Sequence, residues 1–160
     1  MTAAALRVLC IPAAPADLAA SPYGPFVTCD CATFEVAARE LRDGPAPDAI
    51  LFRSDDAALL GDWPALSQAV LESALVVAAP ATPEDAVQML QVGVQDVLDS
   101  QDGATLGRAL RLAVERKRIE RAARKAYATD LATGLPNHTQ LLEHMSHLLA
   151  LREREPAPMA

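Results

Sequence analysis

The sequence has 160 residues, 51% of them hydrophobic but only 4% aromatic, so a core must be built mainly from Ala, Val, Leu and Ile. Its net charge of −7 excludes a general affinity for nucleic acids, whose phosphates would repel it. No apolar run approaches the roughly 18 residues of a membrane span, and no signal peptide is recognisable, so we expect a cytoplasmic protein without a membrane partner.

The first 107 residues alternate short apolar runs with helical patterns. Strands are predicted over residues 6–11, 26–29, 49–52, 75–79 and 94–98. Helices are predicted over residues 33–42, 64–72 and 83–92, and the Pro-rich segment 12–25 forms at most one short turn. Because the strands are apolar throughout, they predict an α/β fold of the flavodoxin-like, doubly wound (CheY-like) kind, with five parallel strands in the order 2-1-3-4-5.

The predicted helix 83–92 has clear signals at both ends. Thr82 is expected to cap its N-terminus and Gly93 to end it. Its inward-facing residues are expected to be Ala86, Met89 and Leu90.

The last third of the chain changes character. Residues 1–107 hold four arginines and fifteen carboxylates, whereas residues 108–125 hold eight basic and two acidic residues. One helix is predicted over residues 104–128, and a further amphipathic helix over 139–154. Leu112, Ile119 and Ala126 repeat every seven residues, which predicts a parallel homodimer through the last domain helix and a basic coiled-coil stalk over 108–128. The alternative is a solvated helix with a few apolar residues.

The cysteines and histidines do not predict a metal site. Cys10, Cys29 and Cys31 lack nearby partners and are expected to be buried free thiols in a reducing compartment. His144 and His147 lie three residues apart on one helix but without further ligands, so we expect no metal and no cofactor.

Two segments resemble known families. Residues 86–98 (AVQMLQVGVQDVL) resemble the fourth helix and fifth strand of response-regulator receiver domains. Residues 128–138 (ATDLATGLPNH) resemble the opening motif of GGDEF domains, the diguanylate cyclase family. The matching residues are Asp130, Thr133, Gly134, Leu135, Pro136 and Asn137; Ala132 replaces the usual Leu and His138 the usual Arg.

The receiver resemblance implies a phosphorylation pocket whose residues are missing here. The acceptor position falls on Arg53, the hydroxyl position on Ala78 and the lysine position on Ser100, and residues 1–116 contain no lysine. We therefore expect a degenerate pocket without a catalytic residue. Arg53 is expected to pair with one of the nearby acidic residues, namely Asp55, Asp56 or Asp99.

Together the resemblances imply three parts: a pseudo-receiver domain over 1–107, a signalling helix over 108–128, and the start of a GGDEF domain over 129–160. The implied function is a non-catalytic regulatory and dimerisation module of a cyclic di-GMP signalling protein, acting through an unidentified protein partner. Two alternatives stay open. One is the N-terminal part of an active diguanylate cyclase whose catalytic half lies outside this chain; the other is a stand-alone adaptor.

Overall fold

A parallel sheet of five strands organises the N-terminal part of the computed structural model, which describes residues 3–128, 142–143 and 145–150. The strands are β1 (Leu6–Ile11), β2 (Phe26–Asp30), β3 (Ala49–Arg53), β4 (Ala74–Ala78) and β5 (Asp96–Leu98). They lie in the order β2-β1-β3-β4-β5, which confirms the predicted doubly wound sheet. Every residue of β4 is buried, as expected of a strand with both faces covered.

Helices cover both faces of this sheet. They are α1 (Phe34–Asp43), α2 (Leu66–Glu72), α3 (Pro83–Val92) and α4 (Gly103–Ala128), with short 3₁₀ helices at Leu18–Ala20 and Ala57–Asp62. One core cluster joins the sheet to α1, α2 and α3, through residues such as Ala37, Ala69 and Met89. The other joins it to α4 through Leu106, Leu110 and Ala113.

The end signals of α3 act as predicted, but one core assignment was wrong. The Thr82 hydroxyl accepts a hydrogen bond from the Asp85 N–H at 3.1 Å, and Gly93 ends the helix with a φ of 113°. Met89 is buried and Ala86 half-buried, whereas Leu90 is 50% exposed. The physical reason is that Leu90 lies about 100° further round the helix than Met89, beyond the single stripe that the sheet covers.

The first crossover, between β1 and β2, packs directly against α4. The Asp17 carboxylate accepts a hydrogen bond from the Gly103 N–H at 2.9 Å. A Cβ on Gly103 would lie 2.5 Å from the Asp17 backbone, and one on Gly107 would overlap the Ser21 side chain. Because the two glycines have no side chain, the crossover, which contains only one 3₁₀ turn, can lie directly against α4.

Basic side chains of α4 attach the helix to several parts of the domain. Arg111 donates to the Tyr23 carbonyl at 2.8 Å, Arg116 lies 4.0 Å from the Asp96 carboxylate, and Lys117 donates to the Val70 carbonyl. The first compact unit, Met1–Lys117, ends at the last of these attachments.

The second unit, Arg118–Ala160, contains the C-terminal part of α4, and residues 142–143 and 145–150 are also helical. Leu142, Met145, Leu148 and Leu149 are each about half exposed. Within the described residues, we find no helix with the length and apolar character needed to cross a membrane.

Candidate functional site

The carboxyl edge of the sheet brings two of the predicted pocket residues side by side. Arg53 is the last residue of β3 and Ala78 the last residue of β4, and the two are paired in the strand register. The Arg53 side chain is half-buried and Ala78 is fully buried. Ser100 follows β5 in the loop that leads to α4. Carboxyl edges of such sheets are the usual location of ligand sites in open α/β folds.

Arg53 ties together two loops at this edge. Its Nε donates to the Gln101 side-chain oxygen at 3.0 Å, and Nη1 donates to the Ala13 carbonyl at 2.9 Å. These bonds link the loop after β1 to the loop after β5. Arg53 therefore acts first as a structural clamp, which differs from the ion pair expected from the sequence.

The carboxylates near Arg53 are not paired with it. Arg42 pairs with Asp43 and Arg116 with Asp96, whereas no ion pair joins Arg53 to a carboxylate within the described residues. The Asp56 carboxylate instead accepts a hydrogen bond from the Ala58 N–H at 2.9 Å, and so caps the 3₁₀ helix Ala57–Asp62. The expected pairing fails because the bonds to the loops direct the guanidinium elsewhere.

Gln101 is the residue of this edge that sequence reasoning missed. Its amide oxygen accepts from Arg53, and its Nε2 donates to the Ala78 carbonyl at 2.8 Å. The same carbonyl also accepts from the Ser54 N–H at 3.1 Å. Gln101 thus connects the ends of β3 and β4 to the residues that precede α4. A polar residue between β5 and α4 was the only available signal, and it does not specify these partners.

Ser100 takes part in capping α4. Its hydroxyl donates to the Asp102 carboxylate at 2.8 Å, and that carboxylate accepts from the Thr105 N–H, also at 2.8 Å. The hydrogen bonds from Thr105, followed by the one from Ser100, lower the pKa of Asp102 to about 2. Asp102 is therefore ionised at neutral pH, where its charge favours the helix N-terminus.

Two adjoining cavities open at the carboxyl edge. The first has a volume of about 470 Å³ and is lined by Arg53, Asp55, Asp99 and Gln101 among others. The second, of about 410 Å³, is lined largely by apolar residues, including Phe34, Phe52 and Leu59. Pro12 and Ser54 belong to both linings, so the two cavities meet there.

An aromatic stack stands behind the apolar cavity. The Phe34 ring lies 5.5 Å from the ring of Phe52 and 5.5 Å from that of Trp63, nearly parallel to the latter at 10°. The Trp63 indole also donates to the Phe34 carbonyl at 3.1 Å. The stack fixes Phe34 on the wall of the cavity; it brings together residues far apart in sequence and was not predicted.

The cysteines largely match the expectation of buried free thiols. Cys10 and Cys31 are buried and Cys29 is half-buried, and all are free. Burial is the main cause that raises the pKa of Cys10, and likewise that of Cys31, to about 12. Among the described residues, no group of three or more His, Cys, Asp or Glu side chains could hold a metal ion.

Several predicted residues lie elsewhere. The GGDEF-like motif, Asp130 and Thr133 to Asn137, lies outside the described residues, as does His144. Along the predicted dimer seam, Leu112 is half-buried, whereas Ile119 is 68% exposed and Ala126 is exposed. The seam stays a prediction, as does the degenerate state of the pocket.

Comparison with known proteins identifies structures with a similar fold but no matching family. No protein-family profile and no curated protein matches the chain. It is similar to the signal receiver domain of a Luxo repressor protein from Vibrio parahaemolyticus, with a TM-score of 0.54, 20% identity, and coverage of 75% of this chain and 98% of that one.

Two further solved structures are similar. One contains the yeast Spc42 trimeric coiled coil fused to another structure (TM-score 0.52, 16% identity, coverage 96% and 99%). The other is a CpaE2 pilus assembly protein from Sinorhizobium meliloti 1021 (TM-score 0.48, 16% identity, coverage 69% and 98%). Strand order, flanking helices and the Vibrio likeness agree, so the N-terminal unit of this chain has the fold of a signal receiver domain.

Proposed function

We propose that this chain is the regulatory and dimerisation module of a cyclic di-GMP signalling protein, with a receiver-like domain that does not accept phosphate. The observation that carries the proposal is the position of Arg53. It ends β3, where the receiver family places its phosphate acceptor, and its guanidinium is fixed to Gln101 and Ala13.

The chemistry of phosphoryl transfer supports this proposal. A receiver needs an acceptor carboxylate, carboxylates that hold Mg²⁺, a hydroxyl and a cation for the phosphoryl oxygens. The end of β3 offers a guanidinium, and the end of β4 a methyl group at Ala78. No lysine precedes Lys117 in the sequence. Asp55 and Asp56 are the nearest carboxylates along the chain, and Asp56 is engaged in capping.

The contacts of α4 suggest how a signal would leave the domain. Gln101 joins the Arg53 clamp to the residues immediately before α4, and Arg116 and Lys117 attach the same helix at β5 and α2. A partner protein that shifts one of these contacts would bias the position of the whole helix. This arrangement supports a protein–protein input that does not require phosphate.

The cyclic di-GMP assignment rests on the sequence. The motif from Asp130 to Asn137 resembles the opening of GGDEF domains and follows a basic helical segment. The seven-residue repeat of Leu112, Ile119 and Ala126 supports a parallel dimer, which would bring two such domains together.

Incubation with acetyl phosphate and Mg²⁺, followed by intact mass spectrometry, tests whether the receiver-like domain accepts a phosphoryl group. We expect no added phosphoryl group, while a phosphorylatable receiver treated in parallel is modified. Addition of one phosphoryl group, dependent on Mg²⁺ and abolished by Asp55→Asn or Asp56→Asn, would contradict the proposal.

Light scattering tests the dimer. We expect the 160-residue chain to be dimeric and Ile119→Glu to be monomeric, because the added carboxylate would lie in the seam. Arg124→Glu, on the opposite side of the same helix, is the matched control and should stay dimeric. A monomeric parent chain, or a dimer unaffected by Ile119→Glu, would contradict dimerisation through the stalk.

The same motif also favours a second candidate, the N-terminal part of an active diguanylate cyclase. Conversion of GTP to cyclic di-GMP by the full-length protein, followed by chromatography, separates the two candidates. Product formation that depends on an intact GGDEF loop favours the cyclase, and no product favours a purely regulatory protein.

A further inference from the structure

Two opposite charges face the larger cavity at the carboxyl edge without pairing. The bonds to Gln101 and Ala13 leave the other N–H groups of the Arg53 guanidinium without a partner in the described part of the chain. Asp99 lines the same cavity, and within residues 3–128 its carboxylate likewise has no ion-pair partner. Arg53 and Asp99 therefore line one cavity without an ion pair between them.

The charges of the lining favour a zwitterion over a simple ion. An anion near Arg53 would be repelled by Asp55 and Asp99, and a cation near the two carboxylates would be repelled by Arg53. A small molecule that carries both charges satisfies the guanidinium and a carboxylate together. A carboxylate beside the remaining N–H groups of Arg53 also gains charge-assisted hydrogen bonds.

The adjoining cavity supplies the third contact. Phe34, Phe52 and Leu59 line it, and it meets the first cavity at Pro12 and Ser54. This junction lies at the ends of β1 and β3, the switch point of the strand order, where ligands bind in doubly wound folds. The two cavities have volumes of about 470 and 410 Å³, enough space for a small molecule, and both open widely to solvent.

We propose that the two cavities together bind a free α-amino acid with an aromatic side chain. Its carboxylate accepts from Arg53, its ammonium group donates to Asp99, and its side chain packs against Phe34 and Phe52. Arg53 is bonded to Gln101, next to α4, so occupancy would provide an input to that helix. This last consequence depends on the proposed function, but the binding itself does not.

Trp63 makes the binding measurable. It is the single tryptophan of the chain and stacks on Phe34, so its fluorescence reports on the apolar cavity. We expect L-phenylalanine to change the fluorescence of the 160-residue chain saturably. Two analogues that each lack one charge, 3-phenylpropionate and 2-phenylethylamine, should bind at least about tenfold more weakly.

Variants assign the contacts. Arg53→Gln and Asp99→Asn should each weaken L-phenylalanine binding by about tenfold. Arg42→Gln, which removes an exposed arginine paired with Asp43, is the control and should bind like the parent. Asp99 makes no structural hydrogen bond in the described residues, so Asp99→Asn keeps the test valid even if Arg53→Gln does not fold.

Three results would overturn the proposal. They are the absence of binding by both fluorescence and calorimetry up to about 10 mM ligand, equal affinity for 3-phenylpropionate, and unchanged affinity in Asp99→Asn. None of them affects the acetyl phosphate test, so failure of this inference is distinguishable from failure of the proposed function.

Discussion

Gly107 of α4 and Ser21 of the first crossover approach so closely that a single methyl group on Gly107 would overlap the Ser21 hydroxyl. The crossover from β1 to β2 contains only the short 3₁₀ helix Leu18–Ala20, so it covers the sheet by lying against α4. A glycine that weakens an isolated helix is therefore required by the packing of this one.

Gly107→Ala should destabilise the domain. Alanine favours a helix interior by about 1 kcal/mol, but the overlap with Ser21 should lower the free energy of unfolding by about 1–3 kcal/mol. Urea denaturation measures the difference. Gly61→Ala, where nothing lies within 4 Å of the added Cβ, is the control and should change little. Recovery in the double variant Gly107→Ala, Ser21→Gly is expected; a Gly107→Ala variant as stable as the parent would contradict the contact.

Gln101→Ala should loosen the carboxyl edge of the sheet. The change removes the bonds to Arg53 and to the Ala78 carbonyl, each worth about 0.5–1.5 kcal/mol or somewhat more where the partner is charged. Chemical denaturation should show a loss of about 1–3 kcal/mol. Gln68→Ala, which removes one exposed bond to Glu72, should cost far less. Equal losses in the two variants would show that Gln101 is not a structural bridge.

The neighbours Met89 and Leu90 should respond very differently to truncation. Met89→Ala removes a buried side chain and should cost about 2–5 kcal/mol, whereas Leu90→Ala should change stability by less than about 0.5 kcal/mol. Thermal unfolding followed by circular dichroism is sufficient to separate them. A large loss of stability in Leu90→Ala would contradict the exposed position of Leu90 and would support the inward-facing position expected from the sequence.

Asp102 should make the stability of the domain pH-dependent. Its pKa in the folded chain is about 2, below the ordinary value of 3.8, because Thr105 and Ser100 donate hydrogen bonds to its ionised form. The resulting stabilisation is complete above the ordinary value and is lost as the pH falls through the folded value.

Urea midpoints measured between about pH 4 and about pH 2 test this dependence. The advantage of the parent over Asp102→Ala should shrink across that window. Asp102→Asn keeps an acceptor for the Thr105 N–H without titrating, so its advantage over Asp102→Ala should persist. A constant difference between the parent and Asp102→Ala would be inconsistent with the lowered pKa.

The strand pattern was predictable because apolar runs and turn residues are local signals. The run at Leu6–Ile11 has the observed bounds, and Thr82 and Gly93 delimit α3 as expected. The alternation of strands and helices predicted a doubly wound sheet, and the flavodoxin-like order 2-1-3-4-5 chosen for it is the observed order. The strands were predicted over residues 49–52 and 75–79, and only the receiver resemblance assigned Arg53 and Ala78 to the pocket; the observed strands end at these two residues.

By itself, the sequence determined the parallel sheet with both faces covered, since this depends on hydrophobic periodicity and chain connectivity, and the receiver resemblance placed Arg53, Ala78 and Ser100 at its carboxyl edge. Only the tertiary structure decided what those residues contact: Arg53 bonds to Gln101 and Ala13, and Leu90 lies outside the covered stripe of α3. Such contacts depend on side-chain direction and on loops that meet from distant parts of the chain. Local composition does not specify contacts between residues that lie so far apart in the sequence.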